Sequence, residues 1–196
     1  LGCGQGRIAL LLPEGCTYSG IDYAAEMLRV ARGAAADADD QTRVKARFFT
    51  ADLVNDAWES EISPDMDWVI LRAVLHHIPG YENRLSLVRR AAGVLKATGT
   101  LAIANWQFVK IPRLMRRALS WREIGLTEAD VDPGDYLLDW QRDGHGVRYV
   151  HWVDEVETRR LAREAALRVD DLFFADEHTG DLTLYALLSP QDGTTR

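Results

Sequence analysis

Apolar positions along the chain recur at two periods. Thr17-Tyr18-Ser19-Gly20-Ile21-Asp22, Val44 to Ala51, Met66-Asp67-Trp68-Val69-Ile70-Leu71 and Gly99-Thr100-Leu101-Ala102-Ile103-Ala104 are short runs that read as strands. The third is apolar enough for burial on both faces. Between them the spacing becomes helical. Glu26 to Arg32 opens an amphipathic helix that frays into an acidic, alanine-rich stretch from Ala34 to Asp40. Tyr81 to Val94 sets Leu85, Val88, Ala92 and Leu95 on one stripe. Strand alternating with helix over residues 1–106 predicts an α/β fold, a doubly wound parallel sheet with helices on both faces. Residues 107–150 break that alternation and read as an insertion within one domain. Beyond it come a helix over Asp154 to Ala166 and strands over Arg168 to Ala175 and Thr183 to Leu188.

The chemistry begins at the first residues, Leu1-Gly2-Cys3-Gly4-Gln5-Gly6-Arg7. A Gly-x-Gly-x-Gly turn joins a buried strand to a helix. Its glycines let the backbone turn tightly and approach a ligand with no Cβ in the way, so the loop points to a nucleotide-like cofactor. Only Leu1 stands where the feeding strand should be, and there is no initiating Met, so the expected first strand is missing and the domain reads as N-terminally truncated. Asp22 lies at the tip of the next strand, sixteen residues past Gly6. A carboxylate there can accept both hydroxyls of a ribose, or can cap the helix that begins near Ala24. Asp52 and Leu53 lie at the tip of the following strand.

The set Leu-Gly-Cys-Gly-Gln-Gly, Gly-Ile-Asp, Ala-Asp-Leu, Leu-Arg-Ala-Val-Leu-His-His and Val-Leu-Lys-Ala-Thr-Gly-Thr-Leu resembles class I S-adenosylmethionine-dependent methyltransferases over residues 1–106. The resemblance implies a Rossmann-like sheet closed by a C-terminal antiparallel hairpin, with S-adenosyl-L-methionine as cofactor. It implies that Gly2, Gly4 and Gly6 pass under the methionine and ribose of that cofactor. Arg7 would meet its carboxylate, unless it is a plain solvent residue. Asp22 would hold the ribose, Asp52 would accept from the adenine amino group, and the Leu53 N–H would face the ring. Leu71 and Arg72 would end the fourth strand beside the reacting methyl.

Two segments bear on the acceptor. Arg72-Ala73-Val74-Leu75-His76-His77 follows the fourth strand, where open parallel sheets bind their ligands. Adjacent histidines do not converge on one ion and no third ligand is evident, so no metal site is expected. The second segment is Gly146-Val147-Arg148-Tyr149-Val150-His151-Trp152, with Gly134 to Trp140 before it and the acids Asp154, Glu155 and Glu157 after it. Together with Ala73-Val74-Leu75-His76-His77 it is similar to the tRNA wobble-uridine methyltransferases that esterify 5-carboxymethyluridine. Val150 stands where those enzymes have a second Tyr, and Asp139 stands where they have Pro. That resemblance implies tRNA as a partner, a small activating subunit, and Arg72, His76, Tyr149 and His151 as groups acting on the acceptor. A carboxylate acceptor is already anionic near neutral pH and needs cations rather than a base. Alternation along an extended segment puts Tyr149 and His151 on one face and turns Arg148 to the other, toward a phosphate or an acid of the insertion. A small-molecule O- or N-methyltransferase using the insertion as a lid is the alternative.

A net charge of −7 argues against an autonomous RNA binder. Lys110, Arg113, Arg116, Arg117 and Arg122 nevertheless fall together with no acid among them. With Ile111, Leu114, Met115, Ala118 and Leu119 on one stripe, they predict a basic amphipathic helix on the acceptor side. Four of the six tryptophans lie in or beside the insertion. Trp121 and Trp140 are expected in its core, whereas Trp106 and Trp152 are open to either packing or stacking on a splayed base. No apolar run reaches the roughly 20 residues of a membrane span. Two cysteines without metal or redox spacing fit a reduced, cytoplasmic setting.

Overall fold

The computed structural model describes residues 1–42, 44–140, 146–176 and 179–191. The chain divides into two units, Leu1–Met66 and Asp67–Arg196.

In the first unit, β1 (Thr17–Asp22) and β2 (Lys45–Thr50) pair in parallel, with Ile21 opposite Phe49 and Asp22 opposite Thr50. The helix α1 (Ala25–Thr42) makes the crossover and runs further than its composition predicts. Its inner face puts Leu28 and Ala31 against Ala9 and Phe48, with Cys3 and Tyr18 packed around them. No α-helix follows the glycine loop. A single 3₁₀ turn, Ala9–Leu11, stands there, and Leu12 is already extended at φ −77°, ψ 148°. Pro13 explains this: a residue before proline is pushed out of the helical region, and the proline has no N–H to donate.

The second unit holds a four-stranded sheet in the order β3 (Met66–Arg72), β4 (Leu95–Trp106), β9 (Thr183–Pro190), β8 (Leu167–Ala175). The last two strands form the expected antiparallel hairpin, with a bulge between Val169 and Asp171. Leu184, Ala186 and Leu188 alternate inward along β9 and meet Leu101 and Ile103 of β4 in the core. The helix α2 (Tyr81–Gly93) buries Leu85, Leu87, Val88 and Ala91, and also Arg84. Leu95, assigned above to its stripe, begins β4 instead. The helix α4 (Glu155–Glu164) is capped by Asp154, whose Oδ1 accepts from the Glu157 N–H at 2.8 Å.

The insertion forms its own three-stranded antiparallel sheet, with β6 (Asp135–Trp140) between β5 (Ala118–Leu119) and β7 (Gly146–His151). The expected basic helix does not form. Only Pro112–Met115 is helical (α3), while Ala118 and Leu119 pair with Leu138 and Leu137. Isolated helices of about a dozen residues are marginal in water, whereas the β6 edge offers unpaired backbone groups, so pairing overrides the helical period. Leu114 and Met115 still pack inward, on Phe108, Leu138 and Val150. No helix among the described residues is long and apolar enough to cross a membrane.

Candidate active site

In the first unit the glycine loop takes the left-handed conformations its sequence requires, with φ of 62° at Gly2, 51° at Gly4 and 69° at Gly6. The Cys3 N–H donates to the Ile21 carbonyl at 3.0 Å, which moors the loop on β1. Asp22 joins loop to helix: its Oδ2 accepts from the Gly4 N–H at 2.7 Å and its Oδ1 from the Ala24 N–H at 2.9 Å. The glycines differ in what surrounds them. A Cβ on Gly6 would lie 2.8 Å from the Phe48 ring and 3.0 Å from Ala31, so this glycine serves the packing of loop against helix. A Cβ on Gly4 would meet nothing within 4 Å. Gly4 is therefore the position where bare backbone faces open space, as a cofactor cradle requires. Gly20 was not singled out in the sequence, yet a Cβ there would strike Phe48, Cys3 and Tyr18 within 2.9 Å. A glycine inside a strand is the signal of such a close approach. Burial pushes the Cys3 thiol up to about 11, which leaves it an inert filler of the loop.

Asp52 organises its own turn, with Oδ1 accepting from the Val54 and Asn55 N–H groups and Oδ2 from Asn55 Nδ2. Leu53 is buried, and its carbonyl accepts from the Trp58 indole at 3.2 Å. Arg7 is exposed, and its Nη2 donates to Gln5 Oε1 at 3.3 Å.

In the second unit β3 ends at buried Leu71 and exposed Arg72. Ala73 turns the chain with φ 59°, a strained value for a residue with a Cβ, held by its N–H donating to Ala104 O at 2.8 Å. The turn Leu75–His77 then buries His76, whose Nδ1 has no hydrogen-bond partner among the described residues. The His76 and His77 rings meet edge-on with centroids 4.2 Å apart, and Trp106 lies 6.3 Å from His76. Arg148 Nη2 donates to His77 Nε2 at 2.6 Å. Burial, then the neighbouring His77 and Arg148 charges, lower His76 to about 3; burial and Arg148 lower His77 to about 4. Both rings are neutral at physiological pH.

Tyr149 and His151 share the other face of β7, as alternation predicts, but both turn inward to Asp135. The Tyr149 hydroxyl donates to Asp135 Oδ1 at 2.6 Å, and His151 Nδ1 reaches the same oxygen at 2.6 Å. His151 Nε2 reaches Glu157 Oε2, also at 2.6 Å. Glu157 Oε1 in turn accepts from Arg84 Nε at 2.7 Å, and Arg84 goes on to Ile78 O and Asp132 Oδ2. Burial alone would lower the His151 pKa, but its bonds to Asp135 and Glu157 outweigh that and raise it. Asp135 and Glu157 show the converse: burial would raise them, and their bonds hold them low. Both ring nitrogens of His151 thus lie at hydrogen-bond distance from carboxylates. With the Tyr149 hydroxyl on Asp135 as well, the polar groups of both side chains are taken up by internal carboxylates. The network was not legible in advance. Arg84 lies on an apolar helix face and its partner Glu157 lies 73 residues away.

The two open tryptophans are packing residues. Trp106 and Trp152 lie half-buried against Phe108, Leu138 and Val150, and the Trp152 indole donates to Gln107 Oε1 at 2.9 Å. Trp121 is buried as expected, 6.4 Å from the Tyr149 ring, whereas the Trp140 side chain falls outside the described residues. Arg113, Arg116 and Arg122 are exposed, and Arg117 is half-buried.

A family described as a methyltransferase domain matches residues 1–101. No curated protein matches the sequence. Solved structures share the fold. A SAM-dependent methyltransferase from Methanosarcina mazei superposes with a TM-score of 0.71 at 20% identity, over 97% of this chain and 91% of that one. The CcbJ methyltransferase from Streptomyces caelestis gives 0.66 at 16% identity, over 96% and 81%. The magnesium protoporphyrin IX methyltransferase from Synechocystis PCC 6803 with bound SAH gives 0.63 at 16% identity, over 97% and 72%. The architecture is accordingly the α/β, Rossmann-like one, a mixed sheet with parallel strands. With the match covering more than half its length, the chain belongs to the methyltransferase-domain family and is an enzyme.

Proposed function

We propose that this enzyme uses S-adenosylmethionine to methylate a carboxylate, and that the carboxylate is carried by a tRNA wobble uridine. The cofactor fits the first unit on an observation of the loop itself: Gly4 leaves open space where a Cβ would stand, and its N–H is fixed by the Asp22 carboxylate. Each Asp22 oxygen takes one backbone N–H and keeps a lone pair for a ribose hydroxyl. Gly2, Gly4 and Gly6 would let the backbone pass beneath the cofactor, with Asp52 and Leu53 on its adenine. When bound, S-adenosylmethionine supplies an electrophilic methyl on a sulfonium. The protein's part is to exclude water and align the acceptor.

The acceptor reading rests on one observation. Arg113, Arg116 and Arg122 stand exposed within ten residues, with no acid partner among the described residues, in a chain of net charge −7. Arginines left unneutralised in an acidic protein support a polyanion as partner, because phosphate contacts carry most of such affinity. Arg72, exposed at the end of β3, is a cation for the carboxylate. His76 and His77, neutral in the folded state, can donate or accept one hydrogen bond per nitrogen. Transfer of labelled methyl from S-adenosylmethionine into bulk tRNA, run beside a small-molecule extract of the same cells, tests this. Label in tRNA that mild alkali releases as methanol is the expected result. Label confined to the small-molecule fraction would replace the acceptor with a metabolite.

A further inference from the structure

His151 ends β7, and both of its ring nitrogens face carboxylates from other elements. Nδ1 lies 2.6 Å from Asp135 Oδ1 on β6, and Nε2 lies 2.6 Å from Glu157 Oε2 on α4. We infer that a single proton on this ring latches the β6–β7 pair to α4, and that loss of the proton as pH rises opens the latch. The inference goes beyond the methyl-transfer reading and does not depend on which acceptor the enzyme takes.

The basis is a count of protons. A neutral imidazole has one N–H and one lone pair. Between two carboxylates, one nitrogen of a neutral ring would set its lone pair 2.6 Å from an anionic oxygen, with no proton between them. The arrangement therefore calls for one proton more than a neutral ring and two carboxylates carry. Tyr149 does not supply it, because its hydroxyl already donates to Asp135 Oδ1, and burial and that carboxylate push its own pKa upward. Burial also opposes a proton on the ring, but the bonds to Asp135 and Glu157 outweigh burial and the Arg84 charge, so the His151 pKa is raised. Against their own burial, the same bonds hold Asp135 and Glu157 below their ordinary values, which puts the proton on His151.

The charges around the ring come from each element packed on it. Asp132 and Asp135 belong to the insertion, Glu157 to the first turn of α4, and Arg84 to α2. With the ring protonated, these three carboxylates face two cations; with it neutral, they face Arg84 alone. Arg84 has nothing further to give, since its guanidinium is committed to Glu157 Oε1, Ile78 O and Asp132 Oδ2. Nor does solvent reach the ring. It is buried, and it packs so closely on Gly134 that a Cβ there would come within 3.3 Å. A ring that sheds its proton meets water only when β7 and α4 part. The short strand β5 pairs with β6 and joins the segments that carry the exposed Arg113, Arg116 and Arg122, so the latch also sets the footing of that basic surface.

Hydrogen exchange on the full chain tests this, with protection factors corrected for the intrinsic rise of exchange with pH. The open form titrates near the ordinary histidine value of about 6.5 and the latched form above it. Protection of the β6 and β7 amides should therefore be constant below about pH 6.5, fall by up to about tenfold per pH unit above it, and level off past the latched pKa. Amides of β4 and β9 in the main sheet should not follow. Glu157→Gln is the decisive variant. Its amide can donate to the lone pair of a neutral His151 while its carbonyl oxygen still accepts from Arg84, so the contacts survive without the extra proton. Its β6 and β7 protection should be flat with pH, and thermal melts check that it is folded. Should it not fold, the ¹⁵N shifts of the wild-type ring decide: both His151 nitrogens protonated at about pH 7 is the expected result, and a lone pair on either overturns the inference. A flat wild-type profile, or a Glu157→Gln profile that falls as wild type does, overturns it too. A loss spread equally over β4 and β9 would make the proton a contribution to global stability and refute the latch.

Discussion

Arg84→Met removes a charge that three acceptors share. Arg84 is 1% exposed, and its guanidinium donates to Glu157 Oε1 at 2.7 Å, Ile78 O at 3.0 Å and Asp132 Oδ2 at 3.2 Å. Methionine keeps much of the stem's volume, so packing changes little and the loss is mainly electrostatic. Glu157, with 17% of its side chain exposed, would keep His151 as its ion-pair partner, and the Ile78 carbonyl would lose its guanidinium donor. Breaking a buried ion pair from one side costs about 3–5 kcal/mol. For a protein of this size that is a fall in Tm of roughly 6–20 °C. Urea unfolding followed by tryptophan fluorescence measures it, with an unchanged m-value showing that stability moved and not the mechanism of unfolding. Arg84→Lys should recover little, because a point charge cannot span three acceptors set around a planar fork. A loss below about 1 kcal/mol for Arg84→Met would mean that the network is solvated and that its role as an internal brace is wrong.

Three further outcomes follow from the site. Gly4→Ala should fold, at about 1–2 kcal/mol for its left-handed φ, yet lose S-adenosylmethionine binding, whereas Gly6→Ala should lose about 2–5 kcal/mol of stability because its Cβ strikes Phe48. Calorimetric titration beside thermal melts separates the two, and equal behaviour of both variants would contradict the assignment. Asp22→Ala should weaken S-adenosylmethionine by about 1.5–3 kcal/mol in calorimetric titration; unchanged affinity would leave Asp22 a turn former only. Stability should peak near pH 6.5. Below that value the unfolded chain protonates His76 and His77 while the folded chain holds them neutral to about 3 and 4, so stability falls with acid by up to about 2.7 kcal/mol per pH unit. Above it, His151, whose folded pKa is raised, loses its stabilising proton as pH climbs through the folded value. A flat stability from pH 4 to 6 would contradict the neutral histidines.

What the sequence made legible is what local periodicity carries. The alternation in Thr183 to Leu188 and the apolar run in Met66 to Leu71 identified β9 and β3, and the glycine spacing identified the loop. The helix expected after that loop failed at Pro13, a signal present in the sequence and outweighed by analogy. The basic helix failed for a reason the sequence does not hold. Whether Ala118 and Leu119 continue a helix or join a sheet depends on the β6 edge, some twenty residues downstream. Arg84 was hidden more deeply. A single charge on an apolar helix stripe is unremarkable until Glu157 and Asp132 are brought to it by the tertiary fold.

The Arg148-Tyr149-Val150-His151 segment shows where a resemblance in residues stops short of a resemblance in role. Period-two alternation correctly divided it, with Tyr149 and His151 on one face and Arg148 on the other. The face with two polar rings looks like the reactive one, but Asp135 sits directly across the ladder from His151 and takes both rings. Gly134 lets that happen, since a Cβ there would press to 3.3 Å on the His151 ring. With Glu157 closing the far side, the tyrosine and histidine brace β6, β7 and α4 as one piece. A brace of this kind is what a short three-stranded sheet needs if one of its strands is to present a guanidinium at a fixed place. Arg148, on the opposite face of β7, meets His77 Nε2 at 2.6 Å. Its position is set from one side by the braced strand and from the other by His77.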